Sequence, residues 1–406
     1  MEVYKRMIGI EKKYNLLEKI YLCCFACYYV YIFLGTTMFE AKWTVPIYRF
    51  AVIIVAIIWG IKLLDVKKIN WKEWVAGILV FSCYAMQYLR TSDKAILILG
   101  IFILASMRVS FRKIVLVSTI CGIIVMVCAF IASQVGIIED LVYYLDNTYR
   151  HSFGIVYSTD FAAHIFFLVL GYCYLRDGRL KSAEYIGLLL LAILIYVFCK
   201  AKTSTICIIL TAVSLKLWNL HKEKEGAIIH PFQKLFKILM IVIIPLCATI
   251  MIVLTVGYDV QNPVWEKLNH ILNGRLAFGH EGFTNYGVTM FGQYIKGAGL
   301  ARSTTPPEFY FALDSSYISI LLERGIIFFV MLCIVFVYCS FRAYKRREVY
   351  LLILLSMMAI QCMIEHHLPD ISYNIFLLLL FAKDNTEKEV TGNHYDENIL
   401  SEYTNR

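Results

Sequence analysis

Apolar residues in this chain come in long unbroken runs, separated by short clusters of charge. About 20 such residues suffice to cross the roughly 30 Å hydrocarbon core of a bilayer. Windows of this kind predict about twelve spans, at 17–37, 48–64, 73–89, 95–107, 113–133, 160–175, 184–199, 203–219, 236–257, 316–341, 348–364 and 369–383. The fourth is short, and the tenth contains Glu323 and Arg324. The runs do not alternate with polar positions, which argues against a β-barrel. The expected fold is an all-α polytopic membrane protein. Its parts are an N-terminal segment (1–16), nine spans over 17–257, a large polar loop at 258–315, three spans over 316–383 and a polar tail at 384–406. The tail is read as disordered.

Composition supports this class. Of 406 residues, 60% are hydrophobic and 17% charged, against nearer a quarter charged in soluble domains. The first run is followed by TTMFEAKW and not by a small-residue cleavage site, so it reads as a retained span. The 13 cysteines lie in apolar runs, the pattern of small buried hydrophobes and not of a disulfide framework.

Charge sets the orientation. Clusters such as Lys12/Lys13, Lys67/Lys68, Arg112/Lys113, Arg176/Arg179 and Arg346/Arg347 fall in every second connection. Basic residues favour the cytoplasmic side, so both termini are expected inside and the segments 134–159 and 258–315 outside. The latter far exceeds ordinary loop length, which suggests a functional cap. Within it, NPVWEKLNHILN predicts a helix with Trp265, Leu268, Ile271 and Leu272 on one face.

Cations on the expected outer side cannot be orientation signals. They are Arg150, Lys200, Lys202, Arg275, Lys296 and Arg302. Singly, each can contact a lipid headgroup; together they suit a pocket for an anionic substrate, since guanidinium groups bind phosphate oxygens bidentately. Three of them fall in or beside the stretch 271–303, which also holds His280, Glu281 and seven glycines. A second polar stretch, CMIEHHLPDISYN, places Glu365, His366, His367 and Asp370 in a tight turn. That turn is either a solvated hairpin tip or a source of acid, base and orientation.

Other chemistries find no motif. GAGLAR lacks the third glycine and the preceding strand of a dinucleotide site, and P-loop, HExxH and nucleophile-elbow patterns are missing. His270, His280, His366 and His367 with Glu281 and Glu365 match no recognised ligand spacing, so no metal and no cofactor are expected.

Four local features resemble the O-antigen polymerase family (Wzy-type) and the related O-antigen ligases. They are YRHSFGIVYSTDFAAH, KAKTSTICII, NGRLAFG…FGQYIKGAGL and LDSSYISILLERGII, spread over roughly residues 10–385. Lys202 stands where the family more often has arginine, and Asp314–Ser315 stand where the ligases have His-Asn, which favours the polymerase branch. The resemblance implies a metal- and nucleotide-independent glycosyltransferase in a bacterial cytoplasmic membrane. It would join undecaprenyl-diphosphate-linked oligosaccharide repeats on the outer face, for capsule, exopolysaccharide or O-antigen. Membrane lipids, a flippase and a chain-length regulator are the implied partners, and nucleic acid is not. On that reading Asp314, Arg275 and Glu365 are the catalytic candidates. Arg150, Lys202, Arg275, Arg302, His280, Glu281 and His366 are the candidates for holding diphosphate or glycan. A ligase acting on another acceptor, a transporter of lipid-linked sugars and a non-enzymatic membrane subunit remain as rival readings.

Overall fold

The computed structural model describes residues 2–39, 45–64, 71–145, 147–222, 231–297, 299, 302–304 and 310–383; the tail at 384–406 lies outside them. The chain is mostly helical. In order it runs α1 (Glu2–Gly35), α2 (Val45–Leu64), α3 (Trp71–Thr91), α4 (Lys94–Ala105) and α5 (Phe111–Gln134). A hairpin follows, β1 (Val142–Leu145) and β2 (Thr148–His151), and then α6 (Ser158–Leu175), α7 (Ser182–Cys199) and α8 (Lys202–Lys222). The second half holds α9 (Pro231–Ile241), α10 (Ile243–Val256), α11 (Pro263–Ile271), α12 (Arg275–Tyr286), α13 (Ser316–Ser319), α14 (Gly325–Lys345) and α15 (Val349–Gln361).

Among the described residues, seven helical segments are long and apolar enough to cross a membrane, or eight if α9 and α10 form one broken span. The protein is therefore a multi-pass helical membrane protein, and among the described residues fewer helices are long and apolar enough to span than the twelve runs predict. Wide apolar stripes face outward, as with Ile123, Val127 and Ile131 on α5 and Ile193 and Val197 on α7. In a bilayer those stripes meet lipid.

Five of the predicted runs fall short. Of these, 73–89 and 95–107 form α3 and the 12-residue α4, neither of them long and apolar enough, and the other three have separate physical sources. The run 236–257 breaks at Val242, where α9 and α10 meet at 69°. The run 348–364 forms only the 13 residues of α15, which is apolar on every side. It packs against α6, α8, α9, α10 and α14, so its uniform hydrophobicity serves the protein core and not lipid. The run 369–383 yields turns and a six-residue 3₁₀ stretch, Ile375–Leu380. There, Asp370 accepts bonds from the backbone and hydroxyl of Ser372, and Asn374 accepts from Phe376 N while donating to Leu368 O. Such local side-chain bonds offer the backbone an alternative to helix. Leu377, Leu378 and Leu379 are then buried inside the protein.

The described residues of the expected outer segments form defined elements. In the segment 134–159, β1 and β2 pair antiparallel, with Tyr143 opposite Arg150. Asp140 holds the base of that hairpin, 2.7 Å from His151 Nδ1 and accepting from Ser152 N and Phe153 N. In 258–315, α11 forms as the pattern predicts, started by Asn262, whose side chain accepts from Val264 N. Trp265, Leu268 and Leu272 pack on the core, but Ile271 is exposed.

Residues 289–293 dock on the start of α14. Ile326 N and Ile327 N donate to Thr289 O and Met290 O, and Gln293 N donates to Glu323 O. The approach is close because Gly292 and Gly325 face each other, with φ of +87° and +81°. A β-carbon on Gly325 would stand 2.3 Å from Gly292 N and 2.8 Å from the Met290 and Thr289 carbonyl oxygens. Gly325→Ala is therefore expected to destabilise the protein by about 1–3 kcal/mol, through backbone strain and lost docking. Unfolding temperature in detergent and proteolysis at 289–293 check this. Unchanged values for both would mean that this contact does not hold the loop.

Candidate functional site

A cavity of about 1160 Å³ opens at one end of the bundle. The first residues of four helices line it: Lys94 and Ala95 of α4, Ser158 to Asp160 of α6, Lys202 of α8, and Arg275 of α12 with Gly274 before it. Helix N-termini carry a partial positive charge, so their convergence favours an anionic ligand. The opposite end of the bundle carries the ion pairs Lys113–Glu18, Arg112–Asp177 and Arg176–Glu184.

Seven tyrosines line the cavity: Tyr28, Tyr31, Tyr48, Tyr84, Tyr143, Tyr157 and Tyr310. Such side chains present an apolar face and a polar tip, a pairing that suits sugars. Seven carboxylates (Asp93, Asp160, Glu266, Asp314, Glu323, Glu365 and Asp370) stand in the wall against five cationic side chains (Lys94, Arg150, Lys202, Arg275 and Arg324). The wall is not the basic pocket that the outer cations alone predict.

Arg275 is built in from several directions. Asn273 and Gly274, both at positive φ, turn the chain between α11 and α12. Asn269 Oδ1 accepts from Leu276 N and Ala277 N, which fixes the first turn of α12. The guanidinium donates through Nε to Ile364 O and through Nη1 to Asn273 O, and its Nη2 stands 3.0 Å from Asp314 Oδ2. Only 13% of the Arg275 side chain is exposed, so this outer-side cation is built into the protein and not free in solvent.

Glu365 sits across the same junction. Ser316 N and Oγ both donate to Glu365 O, and Leu368 N donates to Ser316 Oγ. The polar turn 362–368 is thus pinned to the start of α13. It is not a solvated hairpin tip, because Glu365 and His367 are buried and only His366 is exposed. Burial pushes the Glu365 carboxyl up to about 7, with Arg275 drawing it down and Asp314 adding to the rise. His367 stacks on Tyr373 with ring centroids 3.8 Å apart. Burial, with His366 and His164 adding, holds its imidazole well below the ordinary range and therefore neutral.

Of the residues the sequence singles out, the fold brings Asp314, Arg275, Glu365, Arg150, Lys202 and His366 to the cavity. It does not bring Arg302, His280 or Glu281. Arg302 donates to Gly35 O, His280 Nδ1 lies 3.1 Å from Thr255 O on α10, and Glu281 accepts from Asn285 one turn along its own helix. Loop membership alone does not aim a side chain; the period of α12 turns 280 and 281 away from Arg275. Lys200 folds back over the Tyr196 ring.

Sequence reasoning passes over Asp160, Asp93 and the tyrosines. The available signal for Asp160 is an acidic residue in the first turn of an apolar helix. Glu323 and Arg324, awkward inside a predicted span, occupy a π-helical turn, Ile320–Arg324, that sets both in the cavity wall. Arg324 there lies 3.4 Å from Asp93. Such turns are frequent at functional sites.

Comparison with protein-family models, with curated proteins and with solved structures yields no match.

Proposed function

We propose that this protein is a polysaccharide polymerase that joins polyprenyl-diphosphate-linked oligosaccharide repeats at the outer face of a bacterial cytoplasmic membrane. The observation that carries the reading is the cavity: four helix N-termini suited to a diphosphate, set among tyrosines suited to sugars, at the end of the bundle away from the basic clusters. Its volume exceeds the usual range for one small ligand, which suits two bulky glycans. Both termini then lie in the cytoplasm.

In the reaction, the acceptor repeat's hydroxyl attacks the anomeric carbon of the donor chain. The bond from that carbon to the diphosphate oxygen breaks, and the polyprenyl diphosphate leaves with the electron pair. Glu365 takes the hydroxyl proton; it is buried, faces the cavity and is not ion-paired to arginine, whereas Asp314 is committed to Arg275. Arg275, Arg150 and Lys202, with the helix N-termini, stabilise the leaving charge. No nucleotide takes part. A transporter of the same lipids would carry its charges along a path through the bilayer midplane, whereas the charged groups that line the cavity gather at one end of the bundle.

Purified protein in proteoliposomes is expected to convert lipid-linked single repeats into a ladder of longer chains without nucleotide. Single repeats that stay single would sink the reading. Repeats that cross the bilayer without lengthening would make the protein a transporter.

A further inference from the structure

The cavity wall contains a cluster that the reaction above does not use. Asp160 from the first turn of α6 meets His366 and His367 from the turn after α15. One ligand atom from each lies within 4.8 Å of the others. His367 Nε2 stands 3.8 Å from Asp160 Oδ1 and 4.0 Å from Glu365 Oε2. His367 is fully buried, yet neither of its ring nitrogens has a hydrogen-bond partner. Buried polar atoms are nearly always satisfied, and an orphan points to a missing water or ion. An unsatisfied Nε2 that faces the Asp160 and Glu365 carboxylates, beside the His366 ring, forms an incomplete coordination shell.

We propose that Asp160, His366 and His367 bind a divalent cation of the zinc class at the wall of the cavity. Two imidazoles and one carboxylate suit such an ion better than magnesium or calcium, which prefer oxygen ligands alone. Tetrahedral ligands at about 2.0–2.1 Å from zinc stand about 3.3 Å apart, so these atoms need only draw together on binding. Asp160 and His366 both line the cavity, which leaves at least one coordination position open to a ligand there. Three protein ligands with an open position is the arrangement of reactive zinc sites and not of structural ones.

The ion also resolves an imbalance. Seven carboxylates line the cavity against five cationic side chains, and two added positive charges offset the excess. That role, bridging diphosphate oxygens, rests on the polymerase reading; the binding itself does not. Spacing along the chain conceals the site, since Asp160 lies far from the paired histidines and joins them only through the packing of α6 against α15.

The test uses full-length protein in detergent, stripped with chelator and titrated with Co²⁺. A saturable visible absorption band at one equivalent per chain is expected, displaced by Zn²⁺. His366→Ala and Asp160→Asn are each expected to weaken Co²⁺ binding by at least ~10-fold, the lower end of losses on disturbing a metal site. His366 is exposed, so its variant keeps the fold even if removing the buried His367 does not. Absence of a saturable band in the unaltered protein, or a band that both variants retain, overturns the site. Because the readout is metal binding, that failure leaves the polymerase reading to its own reconstitution, and a failed reconstitution leaves the ion site standing.

Discussion

Glu365→Gln is expected to lower chain lengthening by roughly 10²–10⁴-fold, the usual contribution of a positioned general base. The substitution keeps the shape of the side chain. It also keeps the backbone carbonyl that Ser316 holds through both its N–H and its hydroxyl, so the turn 362–368 stays pinned to α13. What it removes is the ability to accept a proton at the cavity wall. Membrane abundance and unfolding temperature should therefore stay near those of the unaltered protein while the glycan ladder collapses to short products. Glu365→Asp, which retains a carboxylate but shortens its reach, is expected to recover part of the activity. A normal ladder from Glu365→Gln would move the general base to Asp314.

Arg275→Ala is expected to have two effects that separate in measurement. The guanidinium ties α12 to Ile364 O, to Asn273 O and to Asp314. Its loss should cost about 1–3 kcal/mol of stability, below the 3–5 of a fully buried pair because a quarter of the Asp314 side chain is exposed. Turnover should fall by something like 10²–10³-fold beyond that, the size seen on removing one preorganised donor from a developing charge. Arg275→Lys keeps the charge but not the fork, and should restore stability less than it restores charge. The two readouts are unfolding temperature and glycan length in the same preparation. A variant that melts early yet still builds long chains would make Arg275 a clamp between the outer helix and the turn at 364, and not a catalytic residue.

Much of the architecture follows from periodicity and length. The continuous apolar runs locate the membrane-length parts of α1, α2, α5, α6, α7, α8 and of the α13–α14 segment within a few residues, because a segment of that length and hydropathy has no other way to satisfy its backbone in lipid. The helix at 263–271 follows equally from its amphipathic spacing. The overestimate of spans arises where hydropathy is ambiguous. A uniformly apolar segment such as α15 reads the same whether its neighbours are lipids or other helices. In 369–383, Asp370, Ser372 and Asn374 redirect the backbone into turns just before a run of leucines.

The site divides in the same way. By itself the sequence determined that this is a helical membrane protein, and it marked Arg150, Lys202, Arg275, Glu365 and His366, because charge in an apolar chain is conspicuous; Asp314 was a candidate only through the family resemblance. Only the tertiary structure decided which of the marked residues meet. Arg302, His280 and Glu281 belong to the same polar loop as Arg275, yet helix phase and loop docking carry them away from the cavity. Asp160 entered the site unmarked, because its partners lie two hundred residues distant in the chain and stand opposite it only once α6 packs on α15. Hydrophobic patterning is local and survives in one dimension; a constellation of side chains is set by long-range packing, which no local pattern encodes.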